Sequence, residues 1–537
     1  MIKMWANYRI HFILIFALFC LILRIILVEQ ITYTYGWDVA RDLVTVYKKI
    51  SFISHFNYSQ YSILNIPDIF RAQNLQWWFP EGPIISTTYQ SLSPLYYILL
   101  APAFVIFNYT YTTAIYLTST LNVVTLLLIY FFTKKYYGIM PATMASLIWG
   151  FSYYSIKEGA IGLNPGLVPV FTMLALISIY KIYENEAKYI YLLCISIVGL
   201  LSFHASGFFI VPIIGLLLVY KIKIFRPHHY LFGVLIIFTG LFLYYLQEKM
   251  LMGKNTDIFL KYFVYQNSGM IKKIPIQESI VNFYATFSLT FGNFLLPFNP
   301  QTFGVVITTV LLLFSIYRVA KKDNSKIYII FILYTIVFAL VVKFEGVIYM
   351  GWWFYGVALP ITLIVFSIFL NLIIQKTGKF KIPFLSILFL VFVFFNIKSI
   401  FSEVLLNNIQ EYNKAKYVAE FIARDTKIDN FDLYFHTHME QFNRINTRSP
   451  FKYLIANNST NRDLFLKSRL EPYDEYFTYL NIYTISDISN SDTEKFANEV
   501  YTSLEKEHVG LKKPVLIYRD KNFTVYKSTF LNQKIMQ

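Results

Sequence analysis

Residues 10–28 read IHFILIFALFCLILRIILV, a run of nineteen with one permanent charge, Arg24. A helix needs about 20 mainly apolar residues to span the hydrocarbon of a bilayer, so this stretch is a membrane span. Lys3 and Arg9 precede it, and Glu29 with an aromatic stretch follows where a secretory leader would show a small-residue cleavage site. It is therefore expected to be a retained first span with the N-terminus in the cytoplasm. Arg24 lies about one turn inside the run. A charge costs up to roughly 3 kcal/mol at the bilayer centre and less near an end, so Arg24 is expected to snorkel outward or pair with Glu29.

The pattern recurs. Apolar helices are expected near 112–133, 141–157, 165–182, 188–203, 206–221, 230–247, 302–318, 327–343, 351–373 and 382–400. Over the 537 residues, 56% are apolar, 19% aromatic and 15% charged, which excludes a soluble enzyme. The net charge of +16 does not mark a nucleic-acid binder. The basic residues cluster at Lys134-Lys135, Lys181 to Lys188, Lys221 to His229, Arg318 to Lys326 and Lys376 to Lys381, all on the cytoplasmic side when the spans are counted from an inside N-terminus. Stretches 93–107 and 279–298 would invert the loops between them if both crossed; they are read as in-plane, re-entrant or misjudged, with thirteen spans instead of eleven if they do cross. Cys20 and Cys194 both fall in apolar runs, so neither a disulfide framework nor a cysteine metal site is expected.

The expected fold is an all-α polytopic membrane protein of about 11–13 transmembrane helices with a small C-terminal extracytoplasmic α/β domain. Residues 1–400 form the membrane domain, with a first external loop over 29–93, and residues 401–537 the soluble domain. In the tail, Asp432 to Phe435 and Val515 to Tyr518 read as strands and Glu411 to Arg424 as a helix.

The first external loop opens Tyr35-Gly36-Trp37-Asp38-Val39-Ala40-Arg41-Asp42. On a helix Asp38, Arg41 and Asp42 share one face, where the arginine keeps both carboxylates ionised and leaves one able to act as a general base. The alternative is that Asp38 caps an amphipathic helix running to Ile50. The loop closes with Trp77-Trp78-Phe79-Pro80-Glu81 and Ser93-Pro94-Leu95-Tyr96. Together these segments resemble the GT-C superfamily of lipid-carrier-dependent glycosyltransferases, which includes the protein O-mannosyltransferases and the lipid A aminoarabinose transferases. The shared pattern is a first span, an external Asp-x-x-Arg and a Pro-Leu-x-Tyr-like start to the next helix. Gly162-Leu163-Asn164-Pro165 resembles the family's Leu-Asp-Pro element, and His204 stands at a helix end where relatives bring polar groups near the site. The layout agrees over residues 1–370 and fades in the tail.

The resemblance implies transfer of a sugar from a polyprenyl-phosphate-linked donor to a lipid, glycan or protein acceptor, with inversion and on the external face. Asp38 matches the family's first acid, the base that deprotonates the acceptor, and Arg41 its arginine. Val39 stands where a second acid is common, leaving Asp42 as the nearest replacement, and Asn164 stands where some relatives have aspartate. No metal and no cofactor is expected.

A lipid phosphate leaving group needs positive charge at the outer boundary, for which Arg41, Lys157, Lys272, Lys273 and Lys343 are candidates, although each lysine is equally an interfacial snorkeller. Glu81 and Glu158 are external carboxylates suited to binding acceptor or simply to facing water. Asn164 before Pro165 suits a helix cap as well as a ligand contact. Expected substrate contacts are thus Arg41, Glu81, Glu158, Asn164, His204 and Lys343. His436 and His438 share one strand face with Glu440, a weak zinc pattern. The expected location is the plasma membrane, with the bilayer and the lipid-linked donor as partners and no nucleic acid. Rival readings are a transporter or flippase, which should show polar residues in helix middles and repeated broken helices, and a structural subunit without chemistry.

Overall fold

The computed structural model describes residues 2–31, 46, 92–107, 113–159, 162–204, 207–253, 256–257, 275–297, 300–321, 326–345, 356–402, 421, 430–436, 479–487, 498, 501–502, 513–519 and 523–531. The chain divides into two compact units. One holds residues 1–29, 57–103 and 115–404, the other residues 30–56, 104–114 and 405–537.

In the first unit the apolar runs fold as helices: α1 (Ile2–Ile31), α2 (Leu95–Ile106), α3 (Thr113–Tyr137), α4 (Ile139–Phe151), α5 (Tyr153–Gly159), α6 (Val168–Tyr183), α7 (Tyr189–Phe203), α8 (Gly207–Val219), α9 (Pro227–Met250), α10 (Ile276–Leu295), α11 (Pro300–Ala320), α12 (Lys326–Glu345), α13 (Ala358–Lys376) and α14 (Lys381–Ser399). Six helical segments among the described residues are long and apolar enough to cross a membrane, and five shorter apolar helices accompany them. The protein is a multi-pass membrane protein. The α6 and α13 spans are 72% buried and form the centre, whereas α9 and α14, at 22% and 17%, turn apolar side chains such as Leu231, Phe238, Leu390 and Phe394 outward. In lipid such a surface has no reason to hide.

Many hydroxyl residues sit inside these spans without breaking them. Thr125, Ser146, Thr172, Ser196, Ser315 and Thr362 each donate to the carbonyl four residues back, so these hydroxyls are satisfied within their own helices.

One segment departs from expectation, and the two stretches left open take definite form. The 141–157 stretch is not one helix: Ser152, at φ −59° and ψ 123°, breaks it into α4 and α5. Its composition around the break is apolar and aromatic apart from Gly150, Ser152 and Ser155, with no proline to announce it. The 279–298 stretch forms α10, which runs antiparallel along α11. Gly304 sits so close to the Ser288 carbonyl that a Cβ there would lie 1.8 Å from its oxygen, and Tyr284 donates to Val305 O at 2.9 Å. The 93–107 stretch forms the twelve-residue α2, about 18 Å long and short of the roughly 30 Å hydrocarbon core.

Four of the five basic clusters meet at one end of the bundle. Lys135 and Lys181 reach Glu184 at 2.9 and 3.1 Å, Lys221 donates to Asn185 at 2.9 Å, and Lys326 lies over the rings of Tyr180 and Tyr183 at 5.4 and 4.9 Å. The ends of α3, α6, α8 and α12 therefore share a face, as the positive-inside count requires.

The second unit contains a four-stranded sheet ordered β1-β2-β4-β3, with β1 Asn430–His436, β2 Tyr479–Asp487, β3 Val515–Arg519 and β4 Phe523–Leu531. β1 and β2 are parallel, the other pairs antiparallel, and β3 carries an irregularity between Leu516 and Tyr518. Both strands expected in the tail form. The helix expected over 411–424 falls almost wholly outside the described residues.

Candidate functional site

At the opposite end of α6 from the basic face, three expected features come together. Gly162 adopts φ +72°, a left-handed turn that side chains resist, and its carbonyl accepts the Tyr96 hydroxyl at 2.6 Å. The turn leads into a 3₁₀ segment, Asn164–Leu167, with Pro165 in its first turn. Leu163, not Asn164, is the residue that precedes this segment, and it makes no side-chain cap. The cap expected from Asn-Pro is thus displaced by one residue. The Asn164 amide instead donates to the carbonyl of Phe203, the last residue of α7.

His204 follows immediately. It leaves the helix in an extended conformation, its N–H bonded to Leu200 O at 3.4 Å and its carbonyl accepting Gly207 N–H at 3.0 Å. The final carbonyls of a helix lack intrahelical partners. Here Asn164 satisfies Phe203, and the Tyr244 hydroxyl satisfies Leu201 at 2.6 Å. Asn164 and His204 are buried, at 6% and 7% exposure, and burial pushes the His204 imidazole down to about 4. A neutral imidazole at that position exchanges hydrogen bonds and carries no charge at neutral pH.

Lys157, on α5, is half-buried with its ammonium 5.4 Å from the Tyr153 ring. Glu158 lies on α5 and Lys343 on α12, their side chains outside the described residues. Asp38, Arg41, Asp42, Glu81, Lys272, Lys273, His438 and Glu440 also lie outside them, and His436 ends β1.

A polar cluster that sequence reasoning missed lies inside the bundle. Arg24 neither snorkels nor faces solvent: its exposure is 0%. Its Nη1 donates to Cys20 O at 3.1 Å and Gly150 O at 3.4 Å, and its Nη2 to Asn122 Oδ1 at 3.0 Å and Ser155 Oγ at 3.3 Å. Around it Ser152 Oγ donates to Phe294 O at 2.7 Å. Asn396 accepts from Tyr153 N–H at 2.6 Å and donates to Leu295 O at 3.1 Å. The signal was present in the sequence as Asn122 and Asn396 within apolar runs. Nothing local says that they face Arg24.

Comparison with known proteins follows the same outline. No family profile matches the sequence, and no curated protein matches it. Among solved structures, the chain is similar to ArnT from Cupriavidus metallidurans bound to undecaprenyl phosphate, with a TM-score of 0.53 at 10% identity, over 96% of this chain and 98% of that one. The apo state of the same protein gives a TM-score of 0.51 at 11% identity over 95% and 97%. The Archaeoglobus fulgidus oligosaccharyltransferase complex with Zn and sulfate gives 0.44 at 14% identity over 90% and 69%. The chain thus shares its fold with ArnT over nearly its whole length, in keeping with the fold that the sequence resemblance implies.

Proposed function

We propose that the protein is a membrane glycosyltransferase that moves a sugar from a polyprenyl-phosphate-linked donor to a lipid, glycan or protein acceptor on the extracytoplasmic face of the plasma membrane. One observation carries the reading: nearly the whole chain superposes on nearly the whole of an aminoarabinose transferase whose structure holds undecaprenyl phosphate. The extracytoplasmic placement rests on the basic face at one end of the bundle and the Asn164–His204 cluster at the other. The membrane domain ends near residue 400 and the tail binds acceptor.

In this reaction the Asp38 carboxylate takes the acceptor hydroxyl proton. The oxygen attacks the anomeric carbon, the carbon–oxygen bond to phosphate breaks, and the polyprenyl phosphate leaves with the bonding pair, inverting the configuration. Arg41 holds Asp38 and Asp42 ionised and, with Lys343, offsets charge on the departing phosphate. Glu81, Glu158, Asn164 and His204 contact sugar or acceptor.

Purified protein in liposomes, assayed for sugar transfer against a panel of polyprenyl-phosphate donors, tests this. Asp38→Asn is expected to abolish transfer at unchanged thermal stability. Equal loss of stability and activity makes Asp38 a helix cap instead. A second reading, a lipid or glycan flippase, is favoured by the buried Arg24 and the broken α4–α5 helix. Absence of transfer with every donor, together with translocation of a labelled lipid-linked sugar, selects it.

A further inference from the structure

We propose that Arg24 is a positioning residue that sets the direction of α5 for the transfer reaction; the inference rests on the transferase reading. The guanidinium touches both sides of the helix break. Nη1 bonds the Gly150 carbonyl before Ser152, and Nη2 bonds the Ser155 hydroxyl after it. The group is planar and its donors are fixed relative to one another, so it works as a splint where a flexible point charge would not.

The rest of the break is held from other helices. Ser152 Oγ is fixed on Phe294 O, Tyr153 N–H on Asn396, and Ser155 Oγ on Asn122 Oδ1 at 3.1 Å. Leverage makes this matter. α5 has seven residues, about 10 Å, so an error of roughly 10° at its base moves its far end by about 2 Å. Three residues beyond that end in sequence stands Gly162, whose carbonyl accepts the Tyr96 hydroxyl, and the Asn164 amide after it donates to Phe203 O. A misplacement of about 1 Å near reacting groups costs on the order of 10²-fold in rate.

Stability alone does not account for an arginine here. Its described partners are all neutral, and its Nε is buried without a hydrogen bond among the described residues. A buried cation held by neutral groups adds little to the holding of helices, because apolar packing of the same volume is as good or better.

The test compares Arg24→Met, Arg24→Lys and the milder Ser155→Ala at equal folded amounts, measuring kcat and the KM for a polyprenyl-phosphate donor. A nitroxide at position 157 (K157C), with both native cysteines buried, reports on α5 by its line shape. Arg24→Met is expected to lower kcat at least 10-fold with KM changed less than twofold, and to mobilise the label. Arg24→Lys, which keeps the charge but not the fork, stays below a third of wild-type kcat. Ser155→Ala loses about threefold, also with KM unchanged. Full recovery by Arg24→Lys, or an unchanged label in all three variants, overturns the proposal. If wild-type protein transfers no sugar at all, the transferase reading fails, and the label alone decides whether Arg24 sets α5.

Discussion

A single oxygen, Asn122 Oδ1, accepts Arg24 Nη2 at 3.0 Å, Ser155 Oγ at 3.1 Å and Trp149 Nε1 at 3.2 Å. Three donors on one carboxamide oxygen, one of them cationic, is an environment that a carboxylate fits better than an amide. Asn122→Asp should therefore be tolerated, within about 1 kcal/mol of wild type, despite placing a second charge in the membrane interior. Asn122→Leu has the same size and strands the guanidinium, at a cost of about 3–5 kcal/mol. Thermal unfolding of the two variants in detergent separates them. An aspartate as damaging as leucine would show that Arg24 does not depend on this oxygen.

The spans were legible because lipid imposes long apolar runs, and α6, α7, α9 and α13 lie where those runs lie. What escaped is what depends on distant partners. The helix breaks at Ser152 inside an apolar stretch because Phe294 O accepts the Ser152 hydroxyl and Asn396 Oδ1 accepts the Tyr153 N–H, 142 and 243 residues away. Arg24 was expected to reach outward because nothing near it in sequence is polar except Glu29, whereas its main side-chain partner, Asn122, is 98 residues on. Of the candidate site, Asn164 and His204 were marked by local signals, an Asn-Pro step and a lone histidine at a helix end. Their connection through the Phe203 carbonyl joins two turns 39 residues apart and has no local signature.

Close backbone contact between α10 and α11 yields a second expectation. A Cβ at Gly304 would lie 1.8 Å from Ser288 O and 3.2 Å from Gly292 Cα, and backbone cannot swing aside as a long side chain does. Gly304→Ala should cost about 1–3 kcal/mol by forcing the pair apart, and Gly304→Val more. Gly215, where nothing lies within 4 Å of a built Cβ, is the control: Gly215→Ala should be neutral or slightly stabilising. Unfolding midpoints of the three proteins decide it, and equal midpoints would mean that α10 is not packed on α11 in this register.

The ion pairs at the basic face should matter far less than their number suggests. Glu184 is raised by burial, but hydrogen bonds from Lys135, Tyr136 and Lys181 outweigh this and hold it at about 2. Its side chain is still 37% exposed and that of its partner Lys135 45%, so water and salt screen the pair. With a folded value below the ordinary one, the contribution is present above about pH 4.5 and fades as pH falls toward 2. Glu184→Ala should cost under about 1 kcal/mol at pH 7, and the difference should shrink in high salt. A larger, salt-insensitive loss would show that Glu184 holds α3 and α6 together.

His204 presents the opposite case, a buried titrating group with its ordinary value near 6.5 depressed to about 4 by burial. Below about pH 6.5 the unfolded protein binds this proton and the folded protein does not. The contribution is thus complete above pH 6.5 and is lost progressively as pH falls through 4. A shift of this size corresponds to about 3 kcal/mol across the window, each unit being about 1.4 kcal/mol. His204→Gln removes the proton-binding group and keeps a neutral hydrogen-bonding side chain. Between pH 6.5 and 4 its unfolding midpoint should fall less steeply than that of the wild type, and above pH 7 the two curves should run parallel. Parallel curves throughout would mean that acid reaches the imidazole in the folded protein. The turn joining Asn164 to Phe203 would then be open to water, contrary to the burial of both its polar side chains.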